Sequence, residues 1–354
     1  MEYYLADRNV FNQMKNYLLP LLCLVFMSCH SGKKSPDVSN IAVNVHIERF
    51  DRDFFSIDTN RIQQGLLALA QKYPWFLNDF AVNILGTSPL SDTSADAFYA
   101  CRRFISSYLP VKDSLVVDFS SSQDRIISIE AGLKKGFQYT KYYFPDYKLP
   151  PKVVAFIGPF DAPGVAMTRY TLAIGLQLYA GKEFPFYLSQ QGQELFPLYI
   201  SRRFEPEYIV PNCMKAIAED LYPDQSSGKP LIEQMIEKGK NWWLLDQLLP
   251  ETVDSLKTGF TQKQLSWCIS NEGQIWNYFL EQNLFSPDPD LIKNYIGDAP
   301  NTQGMPGNSP GNIGQWVGWR IVEKYASLHP DFSPIQIMKT PARTIFDETR
   351  YKPK

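Results

Sequence analysis

Residues 152–158 read KVVAFIG and directly follow two prolines. A short apolar run of this kind, bounded by helix breakers, predicts a buried β-strand. In residues 42–49, apolar and polar side chains alternate, with Val43, Val45 and Ile47 as the apolar positions. This pattern predicts a second strand that is half-buried. The first half of the chain is therefore expected to contribute a small β-sheet.

Most of the remaining sequence has helical periodicity. In the second half, apolar residues recur three and four apart in the segments 192–203, 207–221, 231–249, 262–283 and 315–328. The fourth segment is preceded by Thr261-x-x-Gln264, the pattern of a capping box. Residues 170–180 also follow a helical rhythm and end at Gly181, which fits a C-terminal cap.

The predicted fold class is α+β, mainly α-helical, with a small sheet in the N-terminal half and a helical C-terminal half. No internal repeat and no break in composition divides residues 41–354, so one globular domain is expected there. The 354 residues are 44% hydrophobic and 20% charged, which excludes a disordered chain. The formal net charge of −2 offers no basic surface for nucleic acid, and no nucleic-acid partner is expected.

The N-terminal residues carry an export signal. Lys15 precedes an apolar stretch over 17–27 that is too short to span a bilayer, and this stretch ends at Ser28-Cys29. A small residue before a cysteine at this place is what a lipoprotein signal peptidase requires. We expect cleavage after Ser28 and acylation of Cys29, so that residues 1–28 form the signal peptide. The mixed charge of residues 1–13 suggests that translation starts at Met14.

A polar segment over residues 29–40 is expected to tether the globular domain to the lipid. Removing Cys23 with the signal and acylating Cys29 leaves three widely spaced cysteines, Cys101, Cys213 and Cys268. Each lies in an apolar helical pattern, where a buried thiol serves as a small hydrophobic group. A disulfide-stapled scaffold is therefore not expected.

The chain lacks the motifs of the common hydrolases. Its three histidines are too far apart for a His-Glu-x-x-His zinc site, and neither a nucleophile elbow nor a phosphate-binding glycine loop is present. Paired carboxylates such as Asp51 with Asp53 lie beside turns or basic residues, which indicates solvated charge. No catalytic residue, metal ligand or cofactor is assigned.

Several segments, taken in order, resemble GldB, the gliding-motility lipoprotein family of the Bacteroidota. They are spread over nearly the whole mature chain: IERFD at 47–51, YYFP at 142–145, GLQLYAG at 175–181, MIEKGK at 235–240, LLP at 248–250, WCxxNExxIW at 267–276 and SPGNxGQWxGWxIV at 309–322. The resemblance implies an envelope lipoprotein that is needed for gliding motility and associated with the motility and secretion apparatus.

A fainter likeness links the helix over 207–221, the pattern Ile236-x-x-Gly239 and the late Gly314-x-x-x-Gly318 helix to zincin-like peptidases. In that family the first helix would hold the His-Glu-x-x-His ligands, whereas this chain has Asn212-Cys213-Met214-Lys215-Ala216. Lys238 stands where the likeness would place a ligand glutamate, and a cation opposes metal binding. The hypothesis is a degenerate zincin-like scaffold, without its metal, retained for binding.

Two kinds of surface are candidates for a groove or for partner contacts. Asp161 and Gly164 belong to a glycine- and proline-containing segment that either lines a groove or forms an ordinary tight turn. Four tryptophans form adjacent or closely spaced pairs, Trp242 with Trp243 and Trp316 with Trp319. The second pair shares a helix face and fits either core packing or partner recognition. The first pair cannot share a face, so one member is expected to be exposed.

The function expected is that of a non-catalytic structural or interaction lipoprotein in the outer membrane, facing the periplasm. The tether reads HSGKK after Cys29 and lacks an acidic cluster, which favours the periplasmic face over the cell surface. Its partners would be the membrane, through the lipid, and envelope proteins of motility or secretion. The alternative is an envelope hydrolase acting on peptide or peptidoglycan through carboxylates or a carboxylate-bound metal.

Overall fold

The KVVAFIG segment forms the strand predicted for it in the computed structural model of the chain, which describes residues 35–90, 95–120 and 123–353. Four strands make a mixed sheet in the order β1-β2-β4-β3: β1 (Ile47–Arg49), β2 (Lys152–Phe156), β3 (Val165–Met167) and β4 (Thr171–Gly175). The first three strands in that order run parallel, and β3 pairs antiparallel with β4 at the edge.

The helical interpretation of residues 170–180 is wrong. Thr171–Gly175 is β4, and a single 3-10 turn, Leu176–Leu178, follows it. All five residues of β4 are buried, because the strand lies inside the sheet between β2 and β3. A strand buried on both faces has no polar alternation, and its apolar run cannot be told from a short buried helix by periodicity.

Helices make up most of the described chain. In the first half they are α1 (Phe50–Phe55), α2 (Ile62–Lys72), α3 (Leu77–Asp79), α4 (Ala95–Tyr108), α5 (Lys112–Leu115), α6 (Val117–Ser120) and α7 (Gln123–Tyr143). Three short helices follow the sheet: α8 (Pro185–Leu188), α9 (Gln190–Leu195) and α10 (Leu198–Ser201). The C-terminal half holds α11 (Ile209–Leu221), α12 (Leu231–Leu248), α13 (Asp254–Thr258), α14 (Gln262–Ser270), α15 (Glu272–Leu280), α16 (Pro289–Ile296), α17 (Ile313–Leu328), α18 (Pro334–Lys339) and α19 (Ala342–Thr349).

The predicted fold class, α+β and mainly helical, is confirmed. Two predicted helices are each divided in the structure. The segment 192–203 breaks at Phe196-Pro197, since proline lacks the N–H that a continuing helix needs. The segment 262–283 breaks at Asn271, although its Thr261–Gln264 capping box forms as predicted.

Aromatic side chains fill the space between the sheet and the first helices. Phe50 lies 4.9 Å, centroid to centroid, from both Phe76 and Phe80, and Phe80 lies 5.9 Å from Phe156 of β2. The second part of the core is helical: α12 packs along α17, and α11 connects this pair to α7 and to the sheet. Val38–Lys354 thus forms one compact unit.

The three cysteines in the described part of the chain, Cys101, Cys213 and Cys268, are buried free thiols as predicted. Burial raises the pKa of Cys101 to about 11 and that of Cys268 to about 12, and it raises the pKa of Cys213 further still. Over the described ranges, no helix combines the length and the apolar character that crossing a bilayer would require.

Candidate functional site

A polar cleft opens among α11, α12 and the N-terminal end of α17. Its main lobe has a volume of about 230 Å³, and a second lobe of about 20 Å³ shares Arg203, Thr258, Asp298 and Asn312 with it. A lobe of 230 Å³ falls just below the usual size of a drug-sized ligand site, and the smaller one holds little more than a water molecule. The cleft therefore suits a small group or the end of a chain rather than a large cofactor.

Lys215 lies on the α11 wall of the cleft, four residues before Glu219. This spacing places both side chains on one face of the helix, yet they form no ion pair. Within the described residues, the half-buried ammonium of Lys215 has no hydrogen bond and no carboxylate at ion-pair distance. Burial, reinforced by the nearby Arg203 guanidinium, lowers the pKa of Lys215 to about 8.

Two consecutive arginines reach the cleft from the segment after α10. Arg202 donates a hydrogen bond from Nη2 to the carbonyl oxygen of Gly259 at 2.6 Å. Gly259 adopts a φ of +75°, and a Cβ added there would meet Nη1 of Arg203 at 2.9 Å. A glycine is therefore needed at this turn after α13, both for its left-handed backbone and for the space that Arg203 occupies.

The third wall comes from the loop before α17. Asp298 lies 3.6 Å from the guanidinium of Arg203 and accepts a 3.1 Å hydrogen bond from Asn312 Nδ2. Asn312 has a φ of +47° and immediately precedes α17, so the SPGN segment turns the chain sharply into this helix. Gln315, in the first turn, donates to the carbonyl oxygen of Ile296 at 2.7 Å and fixes the loop to the helix.

The MIEKGK segment of α12 sends its two lysines to different places. Lys238 lines the cleft and pairs with Asp224 at 2.7 Å. Lys240 is buried and donates to Glu237 at 3.1 Å and to the carbonyl oxygen of Thr340 at 2.6 Å, which holds the C-terminal segment. Burial lowers the pKa of Lys240. Lys238 is therefore the lysine of this segment that faces the candidate site.

Of the predicted contact residues, only Trp242 lines the cleft. It is 6% exposed, and its ring lies edge-on to that of Trp319 with a centroid distance of 6.1 Å. Trp243 is also buried, so the expectation that one tryptophan of this pair is exposed is wrong. Trp316 and Trp319 are buried in the helical core.

Asp161 and Gly164 lie between β2 and β3, away from the cleft walls. Asp161 is exposed, and the segment is held by Gln177, which accepts from the N–H of Gly158 at 2.9 Å and donates to the carbonyl oxygen of Ala162 at 3.3 Å. A role for this segment in a groove stays a prediction. Ser28 and Cys29 fall outside the described residues.

The carboxyl groups with raised pKa values lie outside the cleft. Burial raises the pKa of Glu323 to about 7, and burial also raises the pKa of Asp246. Glu323 pairs with Arg320, while Asp246 accepts hydrogen bonds from Lys257 and, at 2.7 Å, from Trp319 Nε1. Neither carboxyl group lines the cleft. In the described ranges, no cluster of three or more His, Cys, Asp or Glu side chains could hold a metal ion.

The residues that shape the cleft were mostly missed by sequence reasoning. These are Arg203, Lys215, Glu219, Asp298 and Asn312. The available signal was a polar stripe in α11, where Lys215 and Glu219 stand four residues apart. Such a stripe is equally typical of a solvated helix face, and the other residues come from loops whose approach has no local signature.

A comparison with protein families gives a match over nearly the same residues as the described fold. The family model described as gliding motility protein GldB matches residues 31–353, nearly the whole chain. Neither the curated proteins nor the solved structures gave a match.

Proposed function

Because the chain belongs to the gliding motility protein GldB family, a family of lipoproteins, we propose that it is a non-catalytic binding component of the envelope. In this role it supports the gliding-motility and secretion machinery, and its contacts are with other proteins of that machinery. The observation that carries the proposal is the family match over 31–353, and the cleft supports it with walls that present cations, amides and carboxylates without a metal cluster among the described residues.

The chemistry of the cleft favours binding over catalysis. Hydrolysis by carboxylates requires an acid and a base that both face the substrate. The two carboxyl groups with raised pKa values, Asp246 and Glu323, are instead engaged in ion pairs outside the cleft. Lys215 and Lys238 occupy the helix positions that face the space between α11 and α12. Lys215, which has no direct ion pair within the described ranges, can interact with an anionic group of a ligand.

We also propose that the scaffold is a zincin-like fold that has lost its metal. Lys238 is held by Asp224 at 2.7 Å, so the position proposed for a ligand glutamate carries a positive charge. Metal analysis of the purified chain tests this part. We expect no stoichiometric zinc, and one tightly held ion per chain would contradict it.

The anchor is proposed to be a diacylglyceryl group on Cys29, with further acylation, in the outer membrane and facing the periplasm. Two or more acyl chains make attachment stable, whereas one gives only marginal binding. Metabolic labelling with a palmitate analogue should mark the wild-type chain and not the Cys29→Ala variant. The Cys101→Ala variant, which removes a buried thiol, should keep its label.

Affinity capture of the lipidated chain from the membranes of its own cells tests the proposed role. Mass spectrometry should identify motility or secretion components that are absent from a parallel capture with the Cys29→Ala variant. Recovery of no envelope component of either kind would contradict the proposal. The hydrolase alternative predicts release of fragments from peptidoglycan or unfolded protein by the purified chain, and we expect none.

A further inference from the structure

Lys215 is a cation of the main lobe without a direct ion pair in the described part of the chain, although the carboxylates of Glu219 and Asp298 lie near enough to favour its charged form. Lys238 is paired with Asp224 at 2.7 Å, and Arg203 is loosely paired with Asp298 at 3.6 Å. Lys215 has no such partner among the described residues. A partly buried charge without a direct ion pair costs free energy, which an incoming anion would recover.

The carboxylates in the lining favour an anion with a single negative charge over a dianion. Asp298 and Glu219 also line the main lobe, and their carboxylates would repel a dianion such as phosphate more strongly than a monoanion. They can at the same time accept hydrogen bonds from N–H groups of a ligand. A ligand that combines one carboxylate with peptide N–H groups satisfies both features.

Three apolar residues belong to the lining of the main lobe, together with the polar residues Asn241 and Thr258. Ala218, Trp242 and Leu245 lie beside the charged groups, and the volume of about 230 Å³ leaves room for one side chain next to a carboxylate. Tyr199 lines the second lobe.

We propose that the cleft binds a single carboxylate of a partner polypeptide, with Lys215 and Arg203 as the anion-binding residues. The inference rests on the proposed binding role and names the chemistry of the partner. A C-terminal carboxylate and an aspartate or glutamate side chain share this chemistry, and the two sources are separated by the choice of probe.

The test uses the lipidated full-length chain in detergent micelles, titrated calorimetrically with three short peptides. The first is acetyl-Ala-Ala-Leu with a free carboxylate, the second is its C-terminal amide, and the third is acetyl-Ala-Asp-Leu-amide. We expect the free acid or the aspartyl peptide to bind at least tenfold more tightly than the neutral amide. The tighter of the two carboxylate peptides identifies the source.

Variants assign the binding to the cleft. Lys215→Met should weaken carboxylate binding at least tenfold, whereas Lys215→Arg, which keeps the charge, should stay within about threefold of wild type. Lys263 is exposed on α14 outside the cleft, and Lys263→Met should change nothing. Circular dichroism confirms that each variant is folded. If Lys215→Met does not fold, Lys215→Arg and protection of Lys215 from amine-reactive labels by the peptide give the answer.

Several outcomes would overturn the inference. These are equal binding of acid and amide, no binding of either carboxylate peptide, tighter binding of inorganic phosphate, and no effect of Lys215→Met on bound acid. Any of them could occur while affinity capture still recovers motility components. In that case the carboxylate site fails and the proposed function stands.

Discussion

Gly239 of α12 and Gly318 of α17 are in direct backbone contact: a Cβ added to Gly239 would overlap the carbonyl group of Gly318, and one added to Gly318 would overlap the carbonyl oxygen of Met235. This crossing brings the two helices closer than any side chain would allow. It also fixes the relative positions of Lys238 on α12 and Gln315 on α17, which both line the cleft. The two glycines therefore belong to the architecture of the site without touching a ligand.

Replacing Gly239 by alanine should destabilise the fold strongly, because the neighbouring atoms are backbone and cannot move aside cheaply. We expect a loss of at least about 2 kcal/mol in the free energy of unfolding, measured by urea denaturation. Gly307→Ala is the matched control, since no atom lies within 4 Å of the added methyl group. Its effect should stay within about 0.5 kcal/mol. Equal stability of the two variants would disprove the close crossing.

Lys215→Met should stabilise the chain at neutral pH. The folded-state pKa of Lys215 is lowered from 10.5 to about 8, so the charged lysine opposes folding below pH 8. As the pH rises from 8 to 10.5, the folded state loses its proton first and this penalty disappears. The variant should therefore be more stable by about 1 kcal/mol at pH 7 and match the wild type near pH 10.5.

Urea denaturation of both chains across this pH range measures the difference. The same series with Lys263→Met serves as the control for removal of an exposed lysine, and it should show no comparable trend. A stability gain for Lys215→Met that is constant with pH would mean that the surroundings of Lys215 do not disfavour its charged form.

Asp246→Ala should destabilise the helical core more than Asp254→Ala, which removes a neighbouring carboxylate. Asp246 is the acceptor for Trp319 Nε1 at 2.7 Å and the close partner of Lys257, whose side chain is 6% exposed. Leaving that buried cation with only a solvent-exposed partner costs about 3 kcal/mol. Asp254 also pairs with Lys257, at 2.9 Å, but is exposed to solvent, so Asp254→Ala should cost less than about 1 kcal/mol.

Thermal or urea unfolding ranks these two variants. The near-ultraviolet signal of the tryptophans should change in Asp246→Ala alone, since only that variant removes the acceptor of Trp319. Similar stability losses in the two variants would show that Asp254, and not Asp246, balances the buried lysine.

The thiols of Cys101, Cys213 and Cys268 should resist alkylation in the folded chain. Burial removes access and raises the pKa of each thiol, so the reactive thiolate is scarce at neutral pH. Mass spectrometry after iodoacetamide treatment should find all three unmodified in buffer and all three modified in concentrated urea. Rapid native alkylation of any one of them would contradict the described core.

The sequence predicted the helical half well because its helices carry long amphipathic patterns and a true capping box at Thr261 and Gln264. It failed at β4, where complete burial removed the alternation that distinguishes a strand. It also failed at Trp243, because adjacent residues of a helix enclosed on several sides can both be buried. The family resemblance was recognised from motifs spread along the whole length of the chain.

The candidate site was harder to predict, for a physical reason. Lys215 and Glu219 look like the solvated face of α11 in the sequence. In the structure Arg203, from the segment before α11, and Asp298 and Asn312, from a loop distant in sequence, lie beside them. Their convergence depends on a left-handed Asn312, a glycine turn at Gly259 and the close crossing of α12 with α17. None of these produces a periodic signal, so the cleft emerges only from the packed structure.

Site-specific crosslinking from the cleft in living cells tests the central claim most directly. A photoreactive amino acid at Glu219, an exposed position on the cleft wall, is compared with one at Leu67, an exposed position on α2. The expected result is a crosslink from Glu219 to a polypeptide of the motility or secretion machinery, lost when Lys215→Met is added and absent from Leu67. Crosslinking at Glu219 that yields no polypeptide beyond those found at Leu67 would contradict a binding role for this cleft.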